Sequence, residues 1–228
     1  SVAISGDLVV VGARRNDDAG SSSGSAYVFR TSDGGVTYSQ VAKLTASDAA
    51  ARDNFGRSVA IDGDTIVIGA YNEGNTGSSW YDGPGAVYVF RASDGGVTYS
   101  QVAKLTASDA AVNDNFGISV AIDGDAVAIS GGGSVYIFRT TDGGGTWPQV
   151  AKLVASDGVS ISRVAISGDI VVAGASGDYS NACAAYVFRT TDGGTTYSQV
   201  AKLTASDAAS SDRFGISVAI AGATFVVG

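Results

Sequence analysis

The stretch NFGRSVAIDGDTIVIGA, residues 54–70, decides the fold of this 228-residue chain. It contains two short apolar runs, Val59–Ile61 and Ile66–Ala70, and the turn Asp62–Asp64 lies between them. Short β-branched runs that are separated by Gly and Asp are typical of two strands joined by a tight turn. The stretch therefore predicts a β-hairpin.

Copies of this hairpin and of two further phrases run through the chain. The Val-Ala-Ile run begins at Val2, Val59, Val120, Val164 and Val218. An aromatic run that ends in Phe-Arg begins at Tyr27, Tyr88, Tyr136 and Tyr186, and the run Gln-Val-Ala-Lys-Leu begins at Gln40, Gln101, Gln149 and Gln199. Residues 32–50 are identical to residues 93–111. Each repeat is therefore predicted to hold four short strands, without a helical period of useful length.

Repeated four-stranded antiparallel units predict an all-β fold, a β-propeller that occupies residues 1–228 as a single domain. We predict four complete blades at about residues 1–48, 54–109, 115–157 and 162–207, and a half blade at 214–228. Four and a half blades do not close a ring, so we expect the chain to be part of a larger propeller. The alternative is a five-bladed ring whose last blade is completed by another segment or chain. Otherwise an open blade edge is left, which can serve assembly.

Composition and charge exclude several classes of function. The chain has no His, which removes mechanisms that depend on a catalytic His or on His-ligated zinc. Its net charge of −8 disfavours nucleic acid and anionic membranes as partners, and no apolar run is long enough for direct membrane insertion. The lone Cys183 is expected to be a small buried or loop thiol.

The stretch at 54–70 resembles the FG-GAP repeat of integrin-α-like β-propellers. Its Phe-Gly pair recurs at residues 116–117 and 214–215, whereas Ile161-Ser162 stands in that place in the third transition. Such propellers commonly have seven blades, which is the size that the resemblance implies for an intact ring. The resemblance also implies an extracellular or cell-surface location.

A second resemblance lies between the third and fourth strands, where TTDGGGTW at residues 140–147 is similar to the Asp-box (BNR) hairpin. Its Asp142 recurs in the same frame as Asp33, Asp94 and Asp192, with Tyr in place of Trp. An Asp carboxylate can accept main-chain N–H bonds within its own turn, and neighbouring glycines supply positive φ. In the family these hairpins lie away from the active site, so the resemblance implies a structural role.

The loops that differ between the repeats form the candidate binding surface. They connect the second and third strands and share one face of a propeller with the inter-blade loops. Their charged and aromatic side chains give the candidate binding residues Arg14, Arg15, Asp17, Asp18, Trp80, Tyr81, Asp82, Asp178 and Tyr179. The aromatic residues could stack on a sugar ring, anchor a protein, or simply pack the long loops. We predict a protein or a glycan as the partner.

No cofactor is predicted, and calcium is kept open. Many FG-GAP blades carry an Asp-rich calcium loop between their first two strands. Here that connection is as short as Asp62–Asp64, so the family's ligand positions do not transfer. Oxygen ligands could instead come from the pairs Asp17/Asp18, Asp48/Asp53, Asp109/Asp114 and Asp207/Asp212.

We expect the chain not to be an enzyme. The Asp-box resemblance suggests comparison with sialidases, which need an arginine triad and a Tyr/Glu pair. Here Glu73 is the single Glu, and four of the ten arginines are the repeated Arg30, Arg91, Arg139 and Arg189. The prediction is an extracellular or cell-surface scaffold for adhesion or assembly. The alternatives are an Asp-box-type carbohydrate-active enzyme and a purely structural repeat in a surface filament.

Overall fold

The computed structural model describes residues 1–77, 82–175, 183–208 and 212–228. Blade 1 contains β1 (Val2–Ser5), β2 (Leu8–Ala13), β3 (Ser25–Arg30) and β4 (Ser39–Leu44). Blade 2 contains β5 (Ser58–Asp62), β6 (Thr65–Ala70), β7 (Ala86–Ala92) and β8 (Tyr99–Leu105). Blade 3 contains β9 (Ser119–Asp123), β10 (Ala126–Gly131), β11 (Ser134–Arg139) and β12 (Gln149–Leu153). Blade 4 contains β13 (Arg163–Ser167), β14 (Ile170–Ala175), β15 (Ala184–Arg189) and β16 (Ser198–Leu203), and the half blade contains β17 (Val218–Ala221) and β18 (Thr224–Val227).

Within each sheet the strands follow chain order and pair antiparallel. Regular structure in the described residues is β-strand throughout, with no helix. The all-β prediction of four four-stranded blades and a half blade is therefore confirmed.

Each blade begins with the hairpin that the repeat predicts. In blade 2, Ile61 pairs with Ile66 and Asp62 pairs with Thr65, which leaves two residues for the turn. The first of these, Gly63, has a φ of 52°, a conformation that glycine adopts without a steric penalty. The short Gly-Asp connection is therefore a turn and leaves no loop between the first two strands.

Both faces of an inner blade are buried because each blade packs between two neighbours. On one face of blade 2, Ile66 and Ile68 pack with Val10 of blade 1. On the other face, Val67 packs with Ile129 of blade 3. Successive side chains of a strand point to opposite faces, so a strand that is covered on both sides reads as a continuous apolar run.

The Phe-Gly pair lies at the seam between blades. Phe116 is fully buried, and Gly117 follows it with a φ of 91°. The Gly117 N–H donates to the main-chain oxygen of Ser130 in its own blade at 2.9 Å. The Gly117 carbonyl faces Gly69 of the preceding blade so closely that a methyl group on Gly69 would overlap it. The motif thus sets the approach of two blades.

The first strands β1, β5, β9, β13 and β17 lie side by side around the axis. Their turns are linked across the seams: the Gly63 N–H donates to Ser5 Oγ at 3.3 Å, and the Gly124 N–H donates to Asp62 Oδ2 at 2.7 Å. These turns and the hairpins between third and fourth strands lie at one end of the blades. The other end, here called the variable-loop face, is formed by the described parts of residues 14–24, 49–57, 71–85, 110–118, 132–133 and 158–162.

Candidate functional site

The predicted binding residues of the first loop follow β2 on the variable-loop face. Arg14 is partly buried and Arg15 is exposed. The carboxylate of Asp17 accepts the main-chain N–H of Ser22 at 2.7 Å and so holds the loop. Asp18 forms an ion pair with Lys43 of the same blade. In this loop the two acids therefore make contacts within the blade.

Of the other predicted binding residues, Asp82 lies in the described part of the chain. It is buried, and its carboxylate accepts the hydroxyl of Thr76 at 2.5 Å. Its main-chain oxygen accepts the N–H of Asn113 at 3.4 Å. Asp82 therefore ties the long loop of blade 2 to the next seam. The remaining candidates lie outside the described residues: Trp80, Tyr81, Asp178 and Tyr179.

A cavity of about 540 Å³ opens on the variable-loop face near the axis. It is lined by Arg14, Arg57, Tyr71, Asp114, Asn115, Ile118, Gly131, Gly132, Gly133, Ser160, Ile161 and Ser162. These residues come from all four blades, because the minimal glycine loop of blade 3 leaves room between its longer neighbours. The cavity brings one predicted binding residue, Arg14, together with residues that were not predicted to bind.

Arg57 is the main residue that the sequence analysis missed. Its guanidinium lies over the ring of Tyr71, 5.9 Å from the ring centroid, which is within the range of a cation–π contact. A signal was present, because the residue before Ser58-Val59 is Arg in blade 2 and Ile in blade 3, at Ile118. An arginine in place of an isoleucine at one repeat position marks a local difference in chemistry.

Arg163 adds a third guanidinium beside the cavity. Its Nε donates to the main-chain oxygen of Ile216 at 3.0 Å, and its Nη1 donates to that of Ser162 at 2.9 Å. Burial lowers the pKa of Arg163, and the positive charge of Arg57 lowers this pKa further. The positive charges of Arg57 and Arg163 therefore repel each other beside the cavity.

By contrast, each of the four lysines forms an ion pair, either between two blades or within one blade. In the seam between blades 1 and 2, Lys104 Nζ lies 2.6 Å from Asp48 and 2.8 Å from Glu73, and the Tyr88 hydroxyl donates to Asp48 at 2.7 Å. Burial raises the pKa of Asp48, but Lys104 and Tyr88 together hold it below its usual range. The same arrangement recurs with Lys152 and Asp109 at 2.5 Å, and with Lys202 and Asp157 at 2.6 Å.

The four repeated Asp residues between third and fourth strands are saturated by their own hairpins. Asp33 accepts the main-chain N–H groups of Val36 and Thr37 at 3.0 and 2.9 Å, and the hydroxyls of Thr37 and Thr31 at 2.6 and 2.7 Å. The Thr37 hydroxyl and the other donors hold the pKa of Asp33 far below its usual range. Asp142 and Asp192 accept equivalent bonds, and Asp94 accepts all but the one from the Thr31 position, which is Ala92. These carboxylates are already fully hydrogen-bonded within their turns.

The acidic pairs considered as calcium ligands do not form a metal site in the described part of the chain. Among the described residues, no group of three or more His, Cys, Asp or Glu side chains is placed to hold a metal ion. Asp53 is 2% exposed and accepts the N–H of Ala50 at 2.7 Å. Burial raises the pKa of Asp53 to about 6, with Glu73 and Asp48 contributing. Calcium binding, which the sequence left open, has no site among these described residues.

The described residues contain no helix that is long and apolar enough to cross a membrane. Cys183 is buried, as expected for a small core thiol.

Comparison with known proteins identifies the repeat. The profile of the FG-GAP repeat matches residues 1–29, 38–90, 99–138, 147–188 and 197–228. The gaps between these segments fall on the hairpins of Asp33, Asp94, Asp142 and Asp192, whose likeness to Asp boxes stays a resemblance. None of the curated proteins matches the chain.

Two solved structures share the fold. A protein from Lactobacillus plantarum is similar with a TM-score of 0.60 at 13% identity, over 89% of this chain and 55% of that one. A protein from Bacteroides uniformis, described as a putative 6-phosphogluconolactonase, is similar with a TM-score of 0.55 at 15% identity, again over 89% of this chain and 55% of that one. The chain thus spans about half the length of these structures.

The Bacteroides structure corrects one prediction. The expectation that the chain is not an enzyme is wrong, because a solved structure with this fold is described as a putative 6-phosphogluconolactonase. The physical reason is that a propeller is a scaffold, and loops on the same scaffold can bind or catalyse. At 15% identity the likeness shows the fold alone, so catalysis by this chain is open.

The blade topology, the Phe-Gly seams and the profile match over most of the chain agree. The chain belongs to the FG-GAP repeat family.

Proposed function

We propose that this propeller is an extracellular or cell-surface scaffold that binds a glycan or a protein at its variable-loop face. The observation that carries the proposal is the axial cavity of about 540 Å³, which lies where the loops differ between blades. Ligand cavities of a few hundred Å³ are typical of small-molecule and saccharide sites, and loops on a rigid scaffold commonly carry them. The extracellular location rests on family membership, because FG-GAP repeats are typical of extracellular proteins.

Several charged groups at the opposite end make contacts within the protein, which favours the variable-loop face as the binding surface. There the Asp hairpins accept their own N–H groups, and strand-end arginines are tied to the next hairpin. Arg30 Nη1 donates to the main-chain oxygen of Gly95 at 2.7 Å, and Arg139 Nη1 donates to that of Gly193 at 2.5 Å. Groups satisfied in this way offer little to a ligand.

The proposal is tested by immobilising the chain and exposing it to printed neutral and acidic oligosaccharides and to purified fibronectin and collagen. We expect saturable binding to at least one probe, weakened by Arg57→Gln and unchanged in Arg189→Gln. Arg189 is exposed at the opposite end, so Arg189→Gln makes the same charge change away from the cavity and serves as the control. Bound probes are also examined by mass spectrometry for chemical change, since catalysis is open. The proposal fails if every probe stays unbound, or if the two variants lose binding equally.

A second candidate, assembly through an open blade face, is favoured by the outer face of blade 1. Val2 and Ile4 are 69% and 65% exposed, whereas their repeat equivalents Val59 and Ile61 are each 8% exposed because blade 1 covers them. Packing of a further blade, from a second copy or from a longer chain, would cover Val2 and Ile4 in the same way.

Light scattering over a range of protein concentrations tests this candidate. We expect the average mass to rise with concentration in the native chain and in Val36→Glu, but not in Ile4→Glu. Val36 is an exposed apolar residue of a hairpin and therefore controls for the added charge. A mass that does not change with concentration, or that rises equally in Ile4→Glu, counts against assembly through this face.

A further inference from the structure

The cations of this acidic chain fall into two groups. All four lysines form ion pairs: Lys43, Lys104, Lys152 and Lys202. In the described part of the chain, no ion pair with a carboxylate is formed by Arg14, Arg57 or Arg163. These three arginines are partly buried, and they converge on the axial end of the variable-loop face. What distinguishes these three arginines is their position, because Arg14 and Arg57 line one cavity and Arg163 lies close enough to Arg57 for its pKa to be affected.

The geometry of the cavity suits an anionic group. Arg14 and Arg57 both line it, and Arg163 is held at its edge by the main chain of Ser162 and Ile216. The lining includes one carboxylate, that of Asp114, which accepts the N–H of Ala111 at 2.7 Å. The lining itself therefore holds two cations against one anion, and Arg163 adds positive charge beside it.

That excess is unfavourable in the unliganded chain. Burial and the charge of Arg57 both lower the pKa of Arg163, which reports the cost of keeping these cations close together. An oxyanion placed between the guanidinium groups would relieve the repulsion. Guanidinium is also the side chain that best matches carboxylate, phosphate and sulfate, because its planar N–H groups can donate in pairs.

The rest of the lining suits a hydroxylated ligand. The side chains of Asn115 and Ser160 line the same cavity and supply an amide and a hydroxyl. Gly131, Gly132 and Gly133 form part of the lining without side chains, so a flat polar ring can approach the main chain. A volume of about 540 Å³ accommodates one or two sugar rings. A long polyanion is disfavoured, because the net charge of −8 repels it beyond the cavity.

We infer that the axial cavity binds a small acidic saccharide, whose carboxylate, phosphate or sulfate lies between Arg14 and Arg57. The inference rests on the proposed function and names the ligand class for the same face. Arg163 contributes long-range attraction, and Tyr71 acts as a positioning residue because its ring supports the Arg57 guanidinium.

Isothermal titration of the full chain tests the inference with defined probes. Glucuronate, glucose 6-phosphate and glucose 6-sulfate distinguish the three oxyanions, glucose is the neutral control, and inorganic phosphate tests for a simple ion site. A short Asp/Glu peptide tests for an acidic protein segment instead. We expect at least one acidic sugar to bind at least tenfold more tightly than glucose and phosphate, with weaker binding at high salt.

Variants locate the site. Arg14→Gln and Arg57→Gln should each weaken that binding about tenfold or more, since each removes a charge-assisted hydrogen-bond donor. Arg57→Lys should restore part of the affinity, because it keeps the charge and loses the planar fork. Arg189→Gln, with the same charge change at the opposite end, should bind within about twofold of the native chain.

Three outcomes overturn the inference: equal binding of glucose, equal or tighter binding of phosphate or the acidic peptide, and full binding by Arg14→Gln and Arg57→Gln. If acidic sugars fail while an oligosaccharide or matrix protein still binds the variable-loop face, the inference falls and the proposed function stands. If all of these probes fail, both fall.

Discussion

Ser130 donates a hydrogen bond from its hydroxyl to the main-chain oxygen of Ser162, across the seam between blades 3 and 4, at 3.2 Å. At the other seams the position of Ser130 is a glycine whose neighbour is the glycine of the next Phe-Gly pair. Gly69, for example, faces Gly117 with no room for a methyl group. Blade 4 begins with Ile161-Ser162 in place of Phe-Gly. The two departures from the repeat lie in contact and compensate for each other.

This relationship predicts the effect of adding a methyl group at an ordinary seam. Gly69→Ala should lower the free energy of unfolding by about 1–3 kcal/mol, because overpacking a close contact shifts the main chain. Ser130→Ala is the matched variant, since it keeps the Cβ and loses one hydrogen bond, at a cost of about 1 kcal/mol. Urea unfolding of both variants measures the difference. If Gly69→Ala costs no more than Ser130→Ala, the seam is looser than described.

The raised pKa of Asp53 predicts that the folded chain loses stability as pH rises. Burial raises the pKa of Asp53 to about 6 in the folded chain, against about 4 when unfolded. The folded state therefore binds this proton more tightly, so the contribution to stability is present below pH 4 and is lost between pH 4 and 6. Asp53→Asn keeps an acceptor for the Ala50 N–H and removes the titration.

Urea unfolding at pH 4, 5, 6 and 7 measures this effect. Asp53→Asn should gain stability relative to the native chain between pH 4 and 6, by on the order of 2 kcal/mol. The control is Asp114→Asn, because Asp114 accepts the Ala111 N–H in the same turn of blade 3 and is only partly buried. A pH-independent difference between Asp53→Asn and the native chain contradicts the prediction.

Asp157 predicts the opposite pH dependence in strongly acidic solution. Lys202 and the Tyr186 hydroxyl lower the pKa of Asp157 to about 2. Because the folded pKa lies below the unfolded value, this contribution to stability is present above pH 4 and is lost as pH falls from 4 to 2. Asp157→Asn should therefore be less stable than the native chain at pH 6, and the gap should close at pH 2.

Thermal unfolding at pH 6, 4, 3 and 2 measures the gap. Asp207→Asn is the control, because Asp207 holds the same repeat position after blade 4 and has no such Tyr and Lys partners among the described residues. If Asp157→Asn and Asp207→Asn show the same unfolding temperature at each pH, the seam contact of Asp157 does not stabilise the fold.

The hairpin carboxylates predict a local effect. Asp142 accepts the N–H groups of Gly145 and Thr146, each at 2.9 Å. Asp142→Ala should therefore accelerate amide hydrogen exchange at Gly145 and Thr146 while leaving exchange in β11 and β12 nearly unchanged. Thr141→Ala, an exposed neighbour, should leave these amides protected. Slow exchange in Asp142→Ala would mean that the turn is held without its carboxylate.

Much of the fold follows from local sequence patterns. The run Ile66–Ala70 is apolar at successive positions, which indicates a strand covered on both faces, and the Gly-Asp pairs mark the turns. Such signals lie within a few residues of one another, so they can be recognised without the tertiary structure. The recurrence of the whole unit then indicates that the units pack against each other, because one four-stranded sheet cannot bury both faces alone.

The candidate site was less accessible from the sequence. Asp18 was predicted to bind a ligand, but it pairs with Lys43, which is 25 residues away in the chain. Arg57 lies in the stretch 54–70 and was not among the predicted binding residues, but it lines the axial cavity with Arg14. Neither contact is visible in a repeat alignment, since it joins residues of different strands or different blades.

The sequence by itself determined the strands, the turns and the stacking of repeated blades, because these depend on short-range periodicity and on glycine conformations. The tertiary structure alone decided which charges are paired and which converge without partners. Lys104 reaches Asp48 across a seam, whereas Arg14 and Arg57 meet at the axis beside the short glycine loop of blade 3. The physical reason is that electrostatic interactions depend on distance and burial in space, and residues far apart in the chain acquire both only when the blades pack.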